Sequence, residues 1–130
     1  MARRKSRTLT ELELEIMHVI WRLGEASVPD IHDAFRDAGT PLALPSVRTM
    51  LSILQDKGYV SRRHEGRGHL YRALVPRADA ETRILKDIVD RAFRGSAANL
   101  VAALVGARMV SGREIDKAKE LVKKIEGGRK

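Results

Sequence analysis

Apolar positions recur at helical spacing over most of this chain and break that spacing once. Leu12, Ile16, Ile20 and Leu23 repeat every three or four residues, which predicts a helix over 11–23 stopped by Gly24. Thr10-Glu11-Leu12-Glu13 opens it as a capping box. The Thr10 hydroxyl accepts from the Glu13 amide, and the Glu13 carboxylate accepts from the Thr10 amide. Leu9 and Leu14 stand where a hydrophobic staple places them, and the acids that alternate along this helix read as a solvated face. Val28, Ile31, Ala34 and Phe35 mark a second helix over 29–38, capped by Ser27, with Pro29 early and Gly39 just past its end. Val47, Met50, Leu51 and Leu54 mark a third over 45–57, with Pro45 as its first residue and Gly58 as its stop. Leu44 then falls at the cap of that helix, where a polar residue would add about 1 kcal/mol.

The period changes at Tyr59. Two short runs, 59–64 and 69–75, flank Glu65-Gly66-Arg67-Gly68 and read as a β-hairpin closed by Pro76, which cannot continue a ladder. The only room for a further short strand is 25–28. Helical spacing then returns. A fourth helix over 79–94 carries Ile84, Leu85, Ile88, Val89 and Phe93, and Gly95-Ser96 breaks it. A fifth over 97–105 carries Leu100, Val101 and Leu104. A second capping box, Ser111 to Glu114, opens a sixth helix that reaches about residue 126 and carries Ile115, Leu121, Val122 and Ile125. The order predicts a mainly α protein. A winged helix-turn-helix, three helices plus a hairpin wing, occupies 1–76, and a three-helix region occupies 77–130. The last three helices are too short to close a good core alone. Their stripes either pack back on the winged helix or meet a second copy as a dimerisation surface.

Charge sharpens this picture. The formal net charge is +8, and it is unevenly spread. Residues 1–9 hold Arg3, Arg4, Lys5 and Arg7 with no acid. Residues 10–44 are predominantly acidic, whereas 45–76 hold Arg48, Lys57, Arg62, Arg63, Arg67 and Arg72 against Asp56 and Glu65. Segregation of this kind within one small unit predicts a surface that faces a polyanion. The third helix has an apolar side for docking and a polar side with Ser46, Arg48, Thr49 and Ser52. An ordinary solvated face would carry the same residues. A recognition helix would use them to meet base edges in the major groove, with Arg48 bidentate on guanine. Arg67 stands between two glycines that let the hairpin tip approach a phosphodiester chain, and Arg62 and Arg63 lie in the strand before it. The same charges also defend an edge strand against aggregation. Arg3, Arg4 and Lys5 read either as an arm that follows the DNA backbone or minor groove, or as a solubility tail. An acidic protein partner is the alternative to DNA for this basic face.

Other chemistries find little support. The hairpin glycines do not form a P-loop, which needs a strand-to-helix turn ending in Lys-Ser/Thr. No cysteine is present, so disulfides and thiolate metal sites are excluded and a cytoplasmic setting is expected. No apolar run has the length of a membrane span, and no secretory signal is read at the start. His64 and His69 face each other across the turn, but Glu65 is the only further ligand nearby, so no metal and no cofactor are assigned. His18 and His32 fall on separate helices. No catalytic constellation is visible, and the protein is not read as an enzyme.

Three segments, LTELELEIMHVIWRLGEASVPDIHDAF, PSVRTMLSILQDKGYVSRRHEGRGHLYRAL and FRGSAANLVAALV, resemble the penicillinase-repressor family of BlaI/MecI type. The resemblance runs from Leu9 to about Ile125. It implies a homodimeric transcriptional repressor on a palindromic operator in double-stranded DNA, with a winged helix that binds DNA and C-terminal helices that dimerise. In characterised penicillinase repressors a protease linked to a membrane sensor cuts an Asn–Phe bond in a dimer-domain helix. The matching pair here is Ala103–Leu104, a departure in the residues at the bond. The related copper-responsive repressors carry a C-terminal cysteine cluster, which this chain lacks.

Overall fold

A computed structural model describes residues 8–127. Its elements run α1 (Glu11–Leu23), β1 (Glu25–Ser27), α2 (Val28–Asp37), α3 (Leu44–Asp56), β2 (Val60–Glu65), β3 (Gly68–Ala73), α4 (Arg77–Ala92), α5 (Ala97–Gly106) and α6 (Gly112–Gly127). The order matches the mainly α reading. The chain divides into two compact units, one running to Leu85 and the other beginning at Lys86, with α4 spanning the division.

Each helix of the first unit starts and stops for a local reason. At α1 both halves of the capping box form: Thr10 N–H donates to Glu13 Oε1 at 2.8 Å, and Glu13 N–H donates to Thr10 Oγ1 at 3.3 Å. At α2 Ser27 is joined by Asp30, which closes a second box not recognised in the sequence (2.9 and 3.1 Å). Helix α3 starts one residue earlier than expected: Ala43 is the N-cap, Leu44 is the first helical residue, and Pro45 is the second. Proline tolerates any first-turn position, because no amide is required there.

Ile16, Met17 and Ile20 of α1, Ile31 and Phe35 of α2, and Val47, Leu51 and Leu54 of α3 form one core. Tyr59, Val60 and Tyr71 of the wing join it, as does Ala80 of α4. The sheet order is β1-β3-β2, and both pairings are antiparallel. Strand β1 adds the weakly signalled third strand by pairing Ala26 with Tyr71. The Trp21 indole N–H donates to the Val75 carbonyl at 3.0 Å, fixing the exit from the sheet against α1.

In the second unit, α5 and α6 bury none of their residues. Ser96 caps α5 through the Asn99 amide (3.1 Å), and the expected Ser111/Glu114 box opens α6 (3.0 and 3.2 Å).

Candidate nucleic-acid interface

The interface begins with a helix end that is left open. The starts of α1 and α2 are closed by capping boxes with acids, whereas α3 has neither a side-chain cap nor an acid in its first turn. The Leu44 and Ser46 amides therefore have no intrahelical acceptor, and the positive end of the helix dipole is uncompensated. One turn on, Val47 is fully buried, which sets the helix rotation and leaves Arg48, Thr49 and Ser52 exposed. Ser46 is half-buried.

The wing is built by a two-residue turn. Glu65 pairs with Gly68, and Gly66 has φ +58°, the positive value that a type II′ hairpin turn needs at its first position. Arg67 is thereby held at the tip. Strand alternation then sorts the remaining bases. Arg62 lies opposite the buried Tyr71, so it shares the helix-facing side of the sheet with His64 and His69. Arg63 lies opposite Leu70 and points to the other side with Glu25, Glu65 and Arg72.

A cleft of about 540 Å³ between α3 and the wing brings together Arg48, Ser52, Arg62, Arg67, His69 and Tyr71. Among the described residues no acid pairs with Arg48, Arg62 or Arg67. Three unneutralised guanidinium groups on one concave surface suit a phosphodiester chain, which accepts bidentate hydrogen bonds from them. Burial, then the charges of Arg62 and His64, hold the His69 imidazole below its usual value.

Other predicted bases are placed differently. Arg63 does not join the cleft. Its guanidinium donates to Glu25 (2.9 and 3.2 Å) and to Glu65 (2.6 Å). The hydrogen bond to Glu25, followed by the one to Glu65, holds it charged far above the usual range. It ties β1 to the wing instead of standing free. Arg72 shares that face and donates to Ser61 Oγ at 3.3 Å. Arg3, Arg4 and Lys5 lie outside the described residues.

Two sequence expectations need correction beneath the interface. Glu13 is not on a solvated face, and Lys57 does not belong to the outward basic block. Glu13 is 2 % exposed, and the Lys57 side chain 8 %. Lys57 Nζ donates to Glu13 Oε1 at 2.7 Å and to the Thr8 carbonyl at 3.0 Å. Burial pushes the Glu13 carboxyl up. The Lys57 hydrogen bond and charge, with the Thr10 donors, outweigh that and hold it below the usual carboxylate range. The pair fastens the C-terminal end of α3 to the start of α1.

Histidine pairing was legible. His64 and His69 are register partners with ring centroids 4.4 Å apart. Among the described residues no group of three or more potential ligands is placed to hold a metal ion.

Comparison with known proteins agrees with this architecture. The chain is 23 % identical over 120 residues to the methicillin resistance regulatory protein MecI of Staphylococcus aureus, covering 92 % of this chain and 97 % of that protein. MecI of Mammaliicoccus sciuri gives the same figures. The solution structure of the DNA-binding domain of the repressor BlaI matches with TM-score 0.51 and 26 % identity, covering 59 % of this chain and 93 % of that domain. The reduced form of MarR from E. coli shares the fold at 16 % identity, with TM-score 0.51 over 90 % of this chain and 77 % of that one. The penicillinase repressor profile matches residues 9–124. The chain thus belongs to the penicillinase-repressor family, a family of DNA-binding transcriptional repressors and not of enzymes.

Proposed function

We propose that this repressor binds a palindromic operator as a homodimer, with α3 in the major groove and the wing on the adjacent backbone. The observation that carries the reading is the cleft where Arg48 and Ser52 of α3 meet Arg62 and Arg67 of the wing without acidic partners. Arg48, Thr49 and Ser52, with Ser46 beside the open helix start, are the residues for base edges and nearby phosphates. Arg67 and Arg62 supply the sequence-independent contacts. Arg63 contributes by holding the wing, and the arm with Arg3, Arg4 and Lys5 adds backbone charge.

Dimerisation belongs to the second unit and the part of α4 that leads into it. Leu85, Ile88, Val101, Leu121, Val122 and Ile125 are all exposed, at 52 %, 40 %, 58 %, 51 %, 50 % and 59 %. Ile84, Val89, Phe93, Leu100, Leu104 and Ile115 are only partly covered. Helices that bury none of their own residues have apolar area to give to a second copy. The domain division proposed with it is a DNA-binding part over 1–76 and a dimerisation part over 77–130, with the start of α4 packed on the first unit through Ala80.

Release by a protease linked to a membrane sensor is the finer part of the proposal, with Ala103–Leu104 as the scissile pair. That bond lies inside α5, where the Ala103 and Leu104 carbonyls accept from the Ala107 and Met109 amides (2.9 and 3.0 Å), so cutting requires local unwinding. The setting is the cytoplasm, where the operator is; among the described residues no helix is long and apolar enough to cross a membrane.

Footprinting of the intact protein on a selected operator tests the assembly. Two protected half-sites about 34–36 Å apart, or a multiple of that, are expected. Protection of a single half-site at every protein concentration would contradict the dimeric reading.

A further inference from the structure

We infer that His64 and His69 form a proton-dependent phosphate contact on the wing, so that DNA binding takes up protons and tightens as pH falls through the histidine range. This rests on the DNA-binding reading above and assigns a further contact within it.

The geometry comes first. The two histidines are directly opposed across the hairpin, with rings 4.4 Å apart and tilted by 43°. Strand alternation places them on the same side as Arg62 and Tyr71, and His69 lines the cleft with Arg48, Ser52 and Arg67. They therefore sit two register positions from Arg62, next to it on the same face and towards the tip that carries Arg67. An anionic backbone seated on the wing passes this pair.

The cationic groups around the pair all disfavour its protonation. Helix α3 presents Arg48, β2 presents Arg62, and the turn presents Arg67. The start of α2 contributes Ser27, Val28 and Pro29, none of them charged, and β3 contributes Tyr71. Glu65 is the one acid lining the cleft, and its carboxylate is held by Arg63 at 2.6 Å. In the free protein burial, then the charges of Arg62 and His64, hold the His69 imidazole below its usual value. A phosphodiester reverses the balance. A negative charge within about 4–6 Å favours the imidazolium, whose two ring N–H groups both donate. If DNA favours protonation, protonation favours DNA by the same factor.

The test uses the intact protein and a random-sequence duplex at fixed salt, read by fluorescence anisotropy from about pH 5 to about pH 8, the range in which histidine titrates. Wild type is expected to bind about tenfold tighter at the acid end for each unit by which DNA raises the pair. His64→Gln combined with His69→Gln should flatten that dependence, and Arg67→Ala should weaken binding throughout while keeping it. Calorimetric titration of wild type in two buffers of different ionisation enthalpy gives the proton count without any variant, and net uptake is expected. Salt-sensitive binding with no proton uptake overturns this inference alone, as does a double variant that keeps the wild-type pH dependence. Absence of salt-sensitive binding at every pH overturns the DNA-binding reading itself, and this inference with it.

Discussion

Replacing Lys57 by methionine removes the cation that neutralises Glu13 while keeping an unbranched stem up to the position that bore the amino group. The carboxylate is left 2 % exposed, with the Thr10 amide donating to it but no counter-charge. Breaking a buried pair from one side costs about 3–5 kcal/mol. A domain of this size has only about 5–15 kcal/mol in all, so Lys57→Met should bring the first unit close to its unfolding threshold. The assay is urea denaturation followed by Trp21, the single tryptophan, whose indole is hydrogen-bonded to Val75 inside the same unit. With a slope of about 1–3 kcal/mol per molar urea, the midpoint should fall by roughly 2 M. The pH dependence supplies a second check. In wild type the folded carboxyl sits below its unfolded value, so its contribution is complete above the ordinary carboxylate range. That contribution is lost as pH falls through the folded value. In Lys57→Met, burial without the cation raises the carboxyl instead, so the two proteins should converge in stability as the medium is acidified. A loss below about 1 kcal/mol at neutral pH, the range of a solvated pair, would refute the reasoning.

Other perturbations separate the parts. Gly66→Ala places a side chain at φ +58° with nothing within 4 Å, so the cost is backbone strain alone. Thermal melts should show a loss of about 1–2 kcal/mol, and Gly66→Asn should lose less. Leu121→Asp with Ile125→Asp should yield monomers by sedimentation while the Trp21 melt of the first unit stays in place, because both positions are exposed within the chain itself; an unchanged dimer would remove α6 from the proposed interface. Arg63→Ala should reduce DNA affinity less than Arg67→Ala, since Arg63 is engaged with Glu25 and Glu65; the reverse order would place Arg63 on the DNA.

The parts legible in the sequence were those set by neighbours along the chain. The α1 and α6 boxes, the Gly66 turn and the four-residue stripe of α3 each depend on residues a few positions apart, and each formed. What the sequence obscured was non-local. Glu13 and Lys57 are 44 positions apart, and nothing near either one shows that folding will bury them together. Glu13 also served visibly as a capping residue, which made a solvated reading sufficient. The separation of Arg62 from Arg63 was partly within reach: Val60 and Tyr71 are apolar and face inward, so alternation alone sends Arg62 towards the helices and Arg63 away. The start of α3 slipped by one residue because proline suits the first and second helical positions alike. Strand β1 is short, and its ladder depends on Tyr71, far along the chain.

The central claim is that α3 reads bases while the wing holds the backbone. The most direct measurement is a salt titration of binding, by anisotropy, for intact wild type, Arg48→Ala and Arg67→Ala. Each is tested on a random duplex and on the operator that wild type selects from a random pool. Arg67→Ala should weaken both duplexes alike and reduce the salt slope by about one, whereas Arg48→Ala should cost about 1–3 kcal/mol on the operator and little on the random duplex. Equal losses on both duplexes for Arg48→Ala, or an unchanged slope for Arg67→Ala, would contradict that division of labour.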